Sequence, residues 1–103
     1  MNIGSTISSL RKSKNISQVD FAEGCHISQA YLSLIEGNKK EPTLATLKDI
    51  ANYLKVPIPV LFFMALEEKD VPEDKHAFFN TMKPTLSGFF ESIFANDTES
   101  HNK

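Results

Sequence analysis

The chain of 103 residues has no tryptophan, one cysteine and four glycines. A lone Cys25 excludes an internal disulfide, and with it the disulfide-built scaffolds of small secreted domains. The four glycines form no phosphate-cradling loop, which removes the glycine-rich nucleotide-binding motifs. The longest apolar run, Val56 to Leu66, is 11 residues broken by Pro57 and Pro59, too short to cross a bilayer. No N-terminal stretch has the charged-then-apolar layout of a signal peptide. These absences predict a cytoplasmic protein with no membrane association. Catalytic groups are equally sparse. Cys25 and His26 are adjacent and on a helix would point apart; His76 and His101 have no ligand-like spacing. No enzyme, metal site or cofactor is expected.

What is present is a globular composition, 41% hydrophobic and 23% charged, sufficient for one modest core. The net charge of −2 hides an asymmetry. Residues 1–66 carry seven Lys/Arg against five Asp/Glu, whereas residues 67–103 carry four against eight. Only the first part permits a polyanion partner.

Apolar spacing predicts helices and no strands. Ile3, Ile7 and Leu10 mark one helical face. Ser17, Ser28 and Thr43 read as N-caps of three more helices, followed by Phe21, Ala22 and Cys25, then Leu32 and Ile35, then Leu47, Ile50, Ala51 and Leu54. Gly37-Asn38 stops the third helix. Pro57 or Pro59 opens a fifth, through Val60, Leu61, Phe63 and Met64. The expected fold is all-α: a five-helix domain at 1–66, a charged linker at 67–75, a C-terminal helical segment at 76–95 with Pro84 either kinking one helix or opening a second, and a disordered tail at 96–103.

Ser17 to Pro42 is the informative stretch. Only about four residues, Gly24 to Ile27, separate two helices, which forces a steep crossing and exposes the second. At about 100° per residue from Gln29, Leu32 and Ile35 share one arc, while Gln29, Ala30, Ser33 and Leu34 occupy the opposite one. Tyr31 and Glu36 lie between. Such a small, amide-bearing arc suits close approach to another surface, although an ordinary solvated helix face has the same pattern.

Gln18 to Gly37 resembles the helix-turn-helix of the lambdoid phage repressor and Cro family, the XRE-type regulators. The resemblance rests on Gln18, on the small Ala22 at the helix contact, on apolar Phe21, Cys25, Ile27, Leu32 and Ile35, on Glu36-Gly37-Asn38-Lys39-Lys40-Glu41-Pro42, and on the helix of Leu44, Leu47, Ile50, Ala51 and Leu54. It covers about residues 3–66. One position departs: His26 stands where the family usually has a turn glycine, which implies a left-handed histidine or a locally rearranged turn.

The resemblance implies a sequence-specific regulator, a repressor, with its recognition helix at about 28–36 in the major groove of double-stranded DNA. Gln29 would read a base, with Ala30, Ser33 and Leu34 beside it. Gln18, Ser28, Tyr31, Lys39 and Lys40 would contact the backbone. Matching positions in relatives often form a buried ion pair, here Arg11 and Glu36, with a role in stability rather than recognition. The tail supplies a second expectation. Seven of the eight phenylalanines lie between Phe62 and Phe94, and Phe78, Phe79, Met82, Leu86, Phe89, Phe90 and Ile93 form an apolar surplus. Three destinations are open for it: the chain's own first domain, a twofold mate, or a separate protein. A homodimer on a palindromic operator is the leading expectation. The alternative is an antitoxin-like or adaptor protein whose main partner is another protein.

Overall fold

The computed structural model describes residues 1–94. Those residues are all-α: α1 (Ile3–Ser13), α2 (Gln18–Gly24), α3 (Gln29–Glu36), α4 (Leu44–Leu54), α5 (Ile58–Ala65) and α6 (His76–Phe94), with two short 3₁₀ turns at Glu68–Asp70 and Glu73–Lys75. The tail expected at 96–103 lies outside the described residues. None of the described helices is long and apolar enough to cross a membrane.

Each helix start has a local cause. The side-chain oxygens of Ser17, Ser28 and Thr43 accept from the amides of Asp20, Tyr31 and Thr46 at 3.1, 3.0 and 3.1 Å. Each bond satisfies a donor that has no intrahelical partner. Asn2 caps α1 in the same way, through Ser5 N at 3.2 Å. Pro57 sits at the α5 cap and Pro59 in its first turn, where a missing N–H costs nothing.

The helix ends share a device that uses no glycine. Asn15, His26, Asn38 and Lys55 have φ of 59°, 64°, 59° and 61°, and no glycine among the described residues has positive φ. After α3 the Asn38 amide donates to Ile35 O at 3.0 Å and the Lys39 amide to Leu34 O at 2.8 Å. These are the paired bonds of a left-handed helix terminus. His26 and Ile27 bond back to Glu23 and Ala22 in the same register after α2. The expectation that Gly37 turns the chain is therefore corrected. Gly37 has φ −86°, and the left-handed residue is Asn38.

Ile7, Phe21, Cys25, Leu32, Ile35, Ile50, Leu54 and Leu61 are completely enclosed and form the centre of one core across α1 to α5. Phe21 meets Tyr53 edge-to-face with centroids 5.4 Å apart. The Tyr53 ring occupies the space that a Cβ on Gly24 would need. Burial pushes the Cys25 thiol up to about 12, with Asp49 adding to the shift, so the sulfur stays protonated and acts as a small apolar side chain.

The charged stretch 67–75 is tied down at both ends. The Met1 amino group reaches Glu67 Oε1 and Asp70 Oδ2 at 3.0 and 2.7 Å. Asn80 Nδ2 donates to Glu68 Oε2 at 2.7 Å, and the His76 ring bonds Val71 O at 2.9 Å. Beyond it α6 runs through Pro84 as one helix. Its inner face lies on the first domain. Phe90 meets Phe63 edge-to-face at 5.6 Å. Lys83 Nζ donates to Leu66 O at 2.7 Å and sits 5.8 and 5.6 Å from the Phe63 and Phe79 ring centres. Lys14 Nζ donates to Phe94 O at 2.8 Å.

Candidate nucleic-acid interface

α2 and α3 are joined by Cys25 to Ser28 alone, and Cys25 and Ile27 fold inward from that turn. The short connection leaves α3 with one face in the core and one outside. Leu32 and Ile35 are buried, whereas Gln29, Ala30, Ser33 and Leu34 are all exposed. Leu34, at 43% exposure, is a large apolar side chain held in solvent on this face. Small and amide groups beside one projecting leucine suit a major groove edge, where amides bond base edges and an apolar tip meets a thymine methyl. Tyr31 is half-buried and packs against the core.

The Ser28 cap leaves the first amides of α3 facing outward at the positive end of the helix dipole, a ready environment for a phosphate. Lys39 and Lys40 are exposed, and both of their amides bond Leu34 O, at 2.8 and 3.3 Å. The loop that carries these lysines is therefore anchored to the last turn of α3. Gln18 opens α2 and is half-buried beside Glu36.

Arg11 and Glu36 meet across α1 and α3. Arg11 Nε donates to Glu36 Oε2 at 2.7 Å and Nη2 to Oε1 at 3.0 Å, with both side chains under 10% exposed. A third donor, Arg11 Nη1, bonds Ile16 O at 2.7 Å and pins the chain after α1. Burial pushes the Glu36 carboxyl up, but hydrogen bonds from Arg11 and Gln18 outweigh it and hold the group below the usual carboxylate range. The hydrogen bond to Glu36 in turn raises the Arg11 guanidinium above its ordinary value.

Two contributors escaped the sequence reading. Gly4 lies so close to α3 that a Cβ there would overlap Ile35 O. Its amide donates to Asn38 Oδ1 at 3.1 Å, and Asn38 Nδ2 donates to Asn2 Oδ1 at 2.8 Å. Together Asn2, Gly4 and Asn38 fasten the far end of α3 to the start of α1. The available signal was a glycine inside the Ile3–Leu10 helical pattern, where it lowers helix propensity and so implies a packing reason.

Comparison with known proteins agrees with this geometry. The helix-turn-helix family model matches residues 7–61, just over half the chain. A curated relative, the immunity repressor protein of Bacillus phage phi105, is 28% identical over 81 residues. That match covers 79% of this chain and 54% of the relative, so the chain spans about half the length of the protein it resembles. No solved structure matches significantly.

Proposed function

The chain belongs to the helix-turn-helix family of the lambdoid repressor and Cro type, and from that membership we propose that it is a DNA-binding transcription regulator, a repressor. The observation that carries the reading is the outward face of α3. Four exposed residues, Gln29, Ala30, Ser33 and Leu34, project from a helix whose opposite side is locked into the core. The name of the phage relative supports repression.

In the finer reading Gln29 pairs bidentately with an adenine, Ala30 and Leu34 lie on thymine methyls, and Ser33 approaches either base. Gln18, Ser28, Tyr31, Lys39 and Lys40 contact the backbone. The operator is palindromic and the protein binds it as a homodimer, because two recognition helices about 34 Å apart read successive major grooves. Exposed Phe78, Phe89 and Ile93 favour α6 as the self-association face. The same exposed face keeps a second reading open, an adaptor whose partner is another protein.

The test is selection of the preferred DNA from a random pool, followed by titration. Gln29→Ala should weaken the selected site by about 1–3 kcal/mol and relax choice at one base pair. Lys39→Ala or Lys40→Ala should weaken selected and random DNA alike and flatten the salt dependence. Absence of any selected sequence, with Gln29→Ala indistinguishable from wild type, would remove the DNA-reading role.

A further inference from the structure

The buried ion pair and the exposed amide of α3 belong to one run of hydrogen bonds. Arg11 holds both oxygens of Glu36; Gln18 Nε2 donates to Glu36 Oε1 at 3.0 Å; Gln29 Nε2 donates to Gln18 Oε1 at 3.4 Å. We propose that the Glu36 carboxylate fixes the donor–acceptor polarity of the Gln29 amide, and is thereby a specificity-determining positioning residue although it never reaches DNA.

The argument is one of direction. The two ends of a glutamine amide have nearly the same shape, so packing alone does not decide which way it turns. An ionised carboxylate only accepts hydrogen bonds. Glu36 therefore draws the NH₂ end of Gln18 inward and leaves Gln18 Oε1 facing out. That oxygen also only accepts, so Gln29 turns its own NH₂ towards Gln18. One N–H and one oxygen of Gln29 then remain for the groove. Adenine offers an acceptor at N7 and a donor at N6, which match that remainder. Guanine offers acceptors at both N7 and O6 and would need two donors, of which the relay leaves one. A reversed Gln29 would set its oxygen against Gln18 Oε1.

The inference rests on the reading of Gln29 as a base reader, and the experiment separates the two. Full-length protein is titrated against the selected site and its three variants at the base pair that Gln29→Ala relaxes. Gln18→Met cuts the relay but leaves the Arg11–Glu36 pair intact; Glu36→Gln keeps the shape but can turn either way. Each should reduce discrimination at that pair by roughly tenfold, within what a bidentate contact supplies, and leave the other positions unchanged. In a Gln29→Ala background neither should change preference further. A purely structural Glu36 would lower melting temperature, or affinity for all sequences equally, without touching preference. Wild-type discrimination in Gln18→Met overturns the relay, even if Glu36→Gln does not fold. If Gln29→Ala itself relaxes no base pair, the base-reader reading fails and the relay with it.

Discussion

At the scale of residues, the site is built from few charges, and the one buried pair decides much. Breaking it leaves a buried charge without a partner, which costs about 3–5 kcal/mol in comparable settings. The pH dependence follows from the sign of the Glu36 shift. The folded carboxyl titrates below its unfolded value, so its contribution is complete above the unfolded value of about 4.3 and is lost as pH falls through the lower folded value. Glu36→Gln should therefore flatten the acid limb of stability measured by denaturant melts below about pH 5 while lowering stability at neutral pH. An unchanged acid limb would show that other carboxylates govern it. His26 gives a prediction of the opposite sign. It holds φ 64° at the turn between α2 and α3, a conformation that disfavours a residue with a Cβ by roughly 1 kcal/mol. Its side chain is exposed, so His26→Gly removes that strain with little packing lost. Thermal melts should show His26→Gly stabilised by about 0.5–1 kcal/mol; a destabilised variant would mean that the histidine makes a contact worth more than its strain.

At the scale of elements, the starts of helices were legible and their ends were not. Ser17, Ser28 and Thr43 cap because their oxygens answer a local need of the next turn, and that need is written within three residues. The ends turn on Asn15, His26, Asn38 and Lys55. Only asparagine and histidine among these have a known leaning towards positive φ, so Lys55 carried no local signal, and Gly37 attracted the role that Asn38 performs. A weaker clue did exist: Ile16, Ile27 and Val56 follow three of these residues, and each returns to the core. The ion pair and α3's outward arc were legible from position and periodicity. The Asn2–Gly4–Asn38 fastening was not, because it joins residues over 30 positions apart. Gly4→Ala tests that fastening. Alanine improves helix propensity by about 1 kcal/mol, but here its Cβ meets the backbone oxygen of Ile35 rather than a flexible side chain. Overpacking of this kind costs about 1–3 kcal/mol. The clash should win, lowering the melting temperature and moving α3 relative to α1, with weaker DNA binding as the second readout. A Gly4→Ala protein more stable than wild type would show that α1 shifts aside freely.

At the scale of the whole molecule, α6 has two faces with different fates. Taking Phe78 as origin, Phe89 and Ile93 lie within about 60° of it at about 100° per residue, whereas Phe79, Lys83, Phe90 and Phe94 cluster about 100–160° away. The second group lies inward: Phe79, Lys83, Phe90 and Phe94 are half-buried, and Phe63 and Leu66 receive them. Composition could not divide the phenylalanines in this way, because it shows a surplus without showing how much of it one domain absorbs. Met82 and Leu86 are half-buried between the faces. Phe78, Phe89 and Ile93 remain 68%, 57% and 46% exposed, on one stripe about 22 Å long. An aromatic stripe of that length in water favours association. A twofold axis through it would pair like with like, burying the same residues from both chains. The two faces then make separable predictions. Phe90→Ala should destabilise the chain by about 1–3 kcal/mol, less than a fully buried phenylalanine because this ring is only partly covered. Phe78→Asp with Phe89→Asp should leave the melting temperature of the monomer nearly unchanged, since those rings contribute little to the fold. In sedimentation the same double variant should shift from dimer to monomer and lose most affinity for a two-half-site operator, while still binding a single half-site as wild type does. A wild-type chain that sediments as a monomer at micromolar concentration would sink self-association and leave a foreign partner as the occupant of that stripe. A double variant that stays dimeric would move the interface into α1 to α5.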